Sequence, residues 1–306
     1  MMTGRLTHPE LRGTLKLNEP MSRHTSWRVG GPAARYYEPA DLADLAQFLE
    51  TLPAHEPLCW VGLGSNLLVR DGGIRGTVIA LSGRLNGLGL TADGTVRAEA
   101  GVACAKLARF CLRHGLAGAE FLAGIPGTVG GALAMNAGCH GSETWSLVEA
   151  VETLDRRGAL HRRRPAEYRI DYRSVHGPAG EWFVAGHFRL SPDGGGAGRG
   201  LVRKFLARRG ATQPTQLPNA GSVFKNPPGD HAARLIESAG LKGLCQGRAC
   251  VSERHANFIV NTGGASASDI ERLIEILRAR VAETHGILLE PEVRIVGEAP
   301  GGIREA

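Results

Sequence analysis

Apolar residues recur along the chain at helical and at strand spacings. Leu42, Leu45, Ala46 and Leu49 follow Pro39-Ala40-Asp41 at helical intervals. Leu107, Ala108, Cys111 and Leu112 make one face of a segment over 104–114, closed by Gly115. Asp230 is placed to cap a short helix over 232–239 that stops at Gly240. Ile270, Leu273, Ile274, Leu277 and Val281 mark a longer helix, opened by the capping sequence Ser268-Asp269-Ile270-Glu271 and ending near Gly286. Alternating or continuous apolar runs predict strands at 58–61, 77–81, 96–100, 148–154, 182–190, 258–260 and 293–296. The Gly-rich stretch 191–198 is the clearest linker. The expected regions are 1–82, 83–192 and 193–306, with the last strand free to return to the first region.

Composition narrows this picture. The chain has 306 residues, is 42% hydrophobic and 22% charged, and has no apolar run of the about 18 residues needed to span a bilayer. Its first residues are polar and lack the apolar core of a secretory signal, so a cytoplasmic globular protein is expected, with no membrane insertion. Glycine, at 43 residues, is about twice as frequent as usual, which suits backbone wrapped closely around a ligand. The net charge of +6 comes from 31 Arg and 5 Lys against 30 acidic residues. That balance suits anionic small molecules. Aromatics, at 5%, are too scarce for a nucleic-acid platform, and the glycines lie at strand ends. The six cysteines form no C-x-x-C pair, so no metal site is expected, and most read as small core residues.

Two glycine loops stand out. Gly62-Leu63-Gly64-Ser65-Asn66-Leu67 follows a predicted strand, but Leu67 occupies the place of the last glycine of a dinucleotide fingerprint. Gly124-Ile125-Pro126-Gly127-Thr128-Val129-Gly130-Gly131-Ala132 lacks the lysine of a phosphate-binding P-loop. Its glycines would let N–H groups converge on an anion, helped by the positive end of a helix beginning near Thr128. Asn136-Ala137-Gly138 follows, with an amide able to read a polar ring edge. Turn glycines and tight helix packing are the competing explanation.

These loops, preceded by Thr25-Ser26-Trp27-Arg28-Val29-Gly30-Gly31-Pro32-Ala33, resemble the flavin-binding part of the UDP-N-acetylenolpyruvoylglucosamine reductase family. Asn219-Ala220-Gly221-Ser222-Val223-Phe224-Lys225-Asn226-Pro227 and Glu290-Pro291-Glu292-Val293-Arg294 resemble its substrate-domain motifs. The ordered set runs from about residue 20 to residue 297. The resemblance implies an α+β protein: a vanillyl-alcohol-oxidase-type FAD-binding fold of two subdomains, plus an α+β substrate-binding domain. The short stretch between Lys225 and Glu292 resembles the family variant without an additional tyrosine-bearing loop.

The activity implied is NADPH-dependent reduction of the enolpyruvyl group of a UDP-sugar through non-covalent FAD. Hydride passes from reduced flavin N5 to C3, charge develops on the substrate carboxylate, and a proton must reach C2. By resemblance, Gly62, Gly64, Ser65, Asn66, Leu67, Gly124, Ile125, Pro126, Gly127, Gly130, Gly131, Asn136, Ala137 and Gly138 contact the cofactor. Ser222 is the implied proton donor, assisted by a nearby positive charge such as Lys225 or by water. Glu292 is the implied acid. Beside a carboxylate it must stay protonated, and Glu290 competes for the role by proximity. An arginine holds the substrate carboxylate: Arg173, next to Tyr172, is favoured over Arg169 in the second Tyr-Arg pair. Lys225 and Asn226 are expected to grip the diphosphate or sugar. A different FAD-dependent oxidoreductase of the same fold is the alternative, and it would not need Ser222 with Glu292.

Overall fold

The computed structural model describes residues 5–6 and 11–301. The chain groups into two compact units, each discontinuous in sequence: 1–17, 35–63 and 76–208 form the first, and 18–34, 64–75 and 209–306 the second.

In the first unit, helix α1 (Leu42–Glu50) begins as expected after Asp41, whose carboxylate accepts the Asp44 N–H at 2.9 Å. Its buried face (Leu45, Phe48, Leu49) packs with Tyr37, Ile79 and Leu81. A second core lies against a wholly antiparallel sheet, ordered 160–163, 148–155, 181–188, 96–99, 88–90. Helices α2 (Cys104–Arg113) and α3 (Val129–Met135) supply Leu107, Cys111, Val129 and Leu133 to that core, opposite Val96, Val151 and Phe188. The strand before the G-x-G, 58–61, lies at the edge of another sheet and pairs in parallel with 74–80, with no helix between the two, so the helical crossover of the doubly wound dinucleotide fold is absent there. Helix α4 (Gly198–Thr212) follows the Gly-rich linker. Its run of arginines hides any apolar stripe, so sequence patterning does not find it.

The second unit holds α5 (Ala232–Ser238), α6 (Ala267–His285) and a three-stranded antiparallel sheet of 245–246, 249–251 and 259–261. Strand Arg294–Val296 pairs in parallel with Leu67–Val69. Trp27, Val29 and Leu68 are buried in one cluster with Ile270, Leu273, Ile274 and Leu277 of α6. Trp27 Nε1 donates to the Ile259 carbonyl at 2.7 Å, and Asn261 Nδ2 donates to the Trp27 carbonyl at 2.9 Å.

Local details differ from the sequence expectations. The capping box of α6 is Ser266 with Asp269, two residues before the expected start. At α5 the Ala232 N–H bonds Asn226 Oδ1 at 3.1 Å, while Asp230 turns to the His231 N–H and to Arg234. Cys104 and Cys111 are buried as expected, but Cys245 and Cys250 face each other across a hairpin and form a disulfide.

Asp71 shows how residues 64–75 are tied to the rest of their unit. Its carboxylate accepts the N–H groups of Ala267 and Ser268, each at 2.9 Å, and the Ser268 hydroxyl at 2.6 Å. Burial pushes its pKa up, but these donors outweigh burial and hold it below the usual aspartate value. A depressed carboxylate pKa stabilises the fold above about pH 4 and loses that contribution as pH falls through the folded value. Asp71→Ala is therefore expected to lower unfolding stability by about 1–2 kcal/mol at pH 7. Denaturant titrations should show the gap from wild type closing at acid pH.

Candidate active site

The second unit brings together the Ser222 and Glu292 segments. Phe224 and Pro291 form an antiparallel bridge, the Glu292 N–H donates to the Val223 carbonyl at 2.7 Å, and the Lys225 N–H donates to the Glu290 carbonyl at 2.9 Å. Ser222 immediately precedes this pairing, is half-buried, and its hydroxyl has no hydrogen-bond partner among the described residues. Gly221 has φ +75° and nothing within 4 Å of its Cβ direction, so the backbone before Ser222 is open on that side. Asn66, from the first glycine loop, joins the same construction: Nδ2 donates to the Glu292 carbonyl at 3.1 Å, and its own carbonyl accepts the Arg294 N–H at 3.0 Å. Gly64 is fixed as glycine by φ +62° and by the His24 carbonyl 2.0 Å from where a Cβ would lie.

Two expectations change here. Lys225 does not stand as a free charge beside Ser222, because its ammonium lies 2.6 Å from Glu290 Oε1. Glu290, with 69% of its side chain exposed, is thereby a surface ion-pair partner, whereas Glu292 is half-buried against the Ser222 strand. Asn226 is exposed, and its Oδ1 caps α5. Sequence reasoning also missed Asn257, a buried amide bonded to Phe224 through both ends of its side chain. The available signal was a lone Asn inside the apolar run 256–260.

In the first unit, the second glycine loop is built by backbone packing. A Cβ on Gly62 would lie 2.4 Å from Thr128 Oγ1, and one on Gly130 would lie 2.9 Å from Ala100 Cβ. The expected convergence of helix-end amides on an anion is absent. Val129 N–H donates to Val102 O at 2.8 Å, Gly130 N–H to Ala100 O at 2.9 Å, and Gly131 N–H to the Thr128 hydroxyl at 3.5 Å. The glycines serve tight packing there. A Cβ on Gly124 would lie 3.5 Å from Cys139 Sγ and one on Gly131 3.8 Å from Thr128 Oγ1, ordinary contact distances.

Asn136 is also corrected. It is 1% exposed at φ +43°, its Nδ2 donates to Glu143 at 2.9 Å and to Asp171 O at 3.3 Å, and its Oδ1 accepts the Trp145 N–H at 3.2 Å. This side chain is engaged inside the protein and braces its neighbours. Among them is Arg173, whose guanidinium donates to the carbonyls of Asn136 (3.3 Å) and Gly138 (2.6 Å) and lies over the Tyr172 ring at 4.8 Å. Arg173 is the second residue of the hairpin turn between 169–171 and 174–176, at φ +55°. A non-glycine residue held there is strained, a condition concentrated at functional sites. Its side chain is 15% exposed; that of Arg169 is 80% exposed and paired with Asp171 at 2.8 Å.

The first unit carries the glycine loop 124–131, and the second carries a hydroxyl and a carboxyl on neighbouring strands. Residues 33–163 match the family described as FAD binding domain. Fold and site together define an FAD-containing oxidoreductase. Residues 213–296 match the C-terminal domain of UDP-N-acetylenolpyruvoylglucosamine reductase. The chain is similar to the proteins of that name from Alkalilimnicola ehrlichii, 63% identical over 94% of this chain and 96% of that one. It is likewise similar to that of Methylococcus capsulatus, 60% identical over 94% and 95%. The crystal structure of the enzyme from Thermus caldophilus superposes with a TM-score of 0.77 at 34% identity, covering 93% of this chain and 99% of the other. The chain belongs to the UDP-N-acetylenolpyruvoylglucosamine reductase family.

Proposed function

We infer that this chain reduces UDP-N-acetylglucosamine enolpyruvate to UDP-N-acetylmuramate with NADPH, in the supply of peptidoglycan precursors. The observation that carries this reading is the pairing of the Ser222 and Glu292 strands through the Glu292 N–H and the Val223 carbonyl. When bound, FAD supplies a hydride equivalent taken from NADPH. Gly62, Gly124, Ile125, Pro126, Gly127, Gly130, Gly131, Ala137 and Gly138 would hold it through backbone. Gly64, Ser65, Asn66 and Leu67 are assigned the same cofactor.

The chain's own groups have distinct tasks. The Ser222 hydroxyl gives its proton to C2 of the substrate, and no internal acceptor among the described residues competes for it. Glu292 acts as a neutral acid toward the carboxylate on which charge develops, since a second anion there would oppose the reaction. Arg173 is assigned to the substrate carboxylate, with its guanidinium oriented by the Asn136 and Gly138 carbonyls and lying 4.0 Å from Glu143. Lys225 meets the diphosphate by exchanging its exposed partner Glu290, a pair of low intrinsic strength. Asn226 and Tyr172 complete the substrate contacts.

Residues 1–82 and 83–192 are read as the two FAD subdomains and 193–306 as the substrate domain. The apolar clusters cross these bounds: Trp27, Val29 and Leu68 belong to the C-terminal cluster, and Leu85, Ala100, Leu154 and Val184 pack with Tyr37 and Ile79. No helix among the described residues is long and apolar enough to cross a membrane, and a cytoplasmic location is proposed on the nature of the substrates.

The purified protein is expected to be yellow, to bleach with NADPH, and to regain its colour when the enolpyruvyl UDP-sugar is added. Absorption near the flavin bands reads all three. A protein that stays colourless after reconstitution with FAD overturns the reading. Bleaching without reoxidation by this substrate transfers it to another FAD-dependent oxidoreductase.

A further inference from the structure

Asn257 is 3% exposed and sits among Ala256, Phe258, Ile259 and Val260, all buried apolar residues. A leucine would fill that space without the cost of burying an amide. Both ends of the amide are bonded to one residue: the Phe224 N–H donates to Oδ1 at 3.0 Å, and Nδ2 donates to the Phe224 carbonyl at 2.8 Å. The Asn257 carbonyl also accepts the Val223 N–H at 2.9 Å. The residue therefore acts as a strand partner for Val223 and Phe224, with a side chain supplying two of the three ladder bonds.

The opposite edge of the same segment carries the Glu292 strand, through Glu292 N–H to Val223 O and the Phe224–Pro291 bridge. Val223 and Phe224 are thus clamped from two sides. Before Ser222 the hold is lighter: the Gly221 N–H meets Asn219 Oδ1 at 3.0 Å within its own turn, Asn219 bridges Val260, and Gly221 itself sits at φ +75° with nothing within 4 Å of its Cβ direction. The two residues directly after Ser222, which Asn257 holds, therefore contribute to setting the position of its hydroxyl. Asn257 is itself fixed, since its N–H meets His255 Nδ1 at 3.3 Å and Phe258 N–H meets His255 O at 3.0 Å.

We propose that Asn257 is a positioning residue for proton delivery, clamping Val223–Phe224 so that the Ser222 hydroxyl stays aligned beside the Glu292 strand. This rests on Ser222 being the proton donor. Misplacing a reacting group by about 1 Å costs on the order of 100-fold in rate. Asn257→Leu removes both side-chain bonds at similar volume and is expected to slow reoxidation of the reduced flavin by the enolpyruvyl substrate about 10–100-fold. Flavin reduction by NADPH should stay within about 2-fold and substrate KM within about 3-fold.

The deciding measurement is a double-mutant cycle with Ser222→Ala, by stopped-flow on FAD-loaded protein. With the hydroxyl gone, its alignment no longer matters, so Asn257→Leu should slow the Ser222→Ala enzyme by less than about 3-fold. Equal slowing in both backgrounds, or parallel loss of NADPH-driven flavin reduction, overturns the proposal and makes Asn257 a general structural residue. If Ser222→Ala alone leaves reoxidation unchanged, the donor assignment fails, and that result is separate from the cycle. Asn257→Asp, which keeps the acceptor for the Phe224 N–H, is carried through the same cycle in case the leucine variant does not fold, and is judged by the same criterion.

Discussion

Ser222→Ala is expected to leave NADPH reduction of the flavin unchanged and to slow the substrate-consuming half-reaction by about 10²–10⁴-fold, the usual worth of a positioned general acid. The substitution removes one oxygen from a half-buried residue whose hydroxyl bonds no described part of the protein. The strand that carries it is held by the Glu292 N–H and by the carbonyl and side-chain amide of Asn257, and none of these bonds involves the serine side chain. Fold and flavin content should therefore survive. Stopped-flow absorbance separates the two half-reactions. Comparable slowing of both would make Ser222 a structural turn residue and leave the proton without a donor on that strand.

The second large effect concerns the two Tyr-Arg pairs. Arg173→Ala is expected to slow the same half-reaction by about 10²-fold or more and to weaken substrate binding, since a buried charge-assisted contact to a carboxylate is worth about 2–5 kcal/mol when truncated. Arg169→Ala should change neither by more than about 3-fold, because a guanidinium 80% exposed and paired with Asp171 contributes little. Arg173→Lys is expected to recover only part of the loss. An ammonium cannot donate to the Asn136 and Gly138 carbonyls and present a second edge to a carboxylate. A larger defect at Arg169 would reverse the assignment.

How much of this was legible in the sequence depends on the range of the interaction. Helices whose apolar stripe is continuous, such as α1, α2 and α6, were readable from period alone. The Ser222 and Glu292 motifs were readable by resemblance, although 70 residues separate them, because each is a local string. What escaped was long-range and polar. Nothing near Asp71 announces that it caps a helix 196 residues later. The ion pair of Lys225 with Glu290 depends on strand register that no local pattern specifies. The amides at the start of α3 looked available for an anion, but the sheet edge at Ala100 and Val102 takes them. Asn136 looked like a reader of ligands and is instead a brace for Arg173. In each case a polar group of the right kind was visible and its partner was not.

The way the second unit is stitched from three stretches of chain bears on its biosynthesis. Trp27 is fully enclosed only when Ile259 and Asn261 have arrived to take its indole N–H and carbonyl. A ribosome delivers those residues more than two hundred codons after the tryptophan. Until then this large ring and its neighbours Val29 and Leu68 remain uncovered, a state that favours association with chaperones or with other nascent chains. An expression product cut off before Ile259 would keep that surface bare, and a fragment beginning at 209 would lack the piece that seals its own interior.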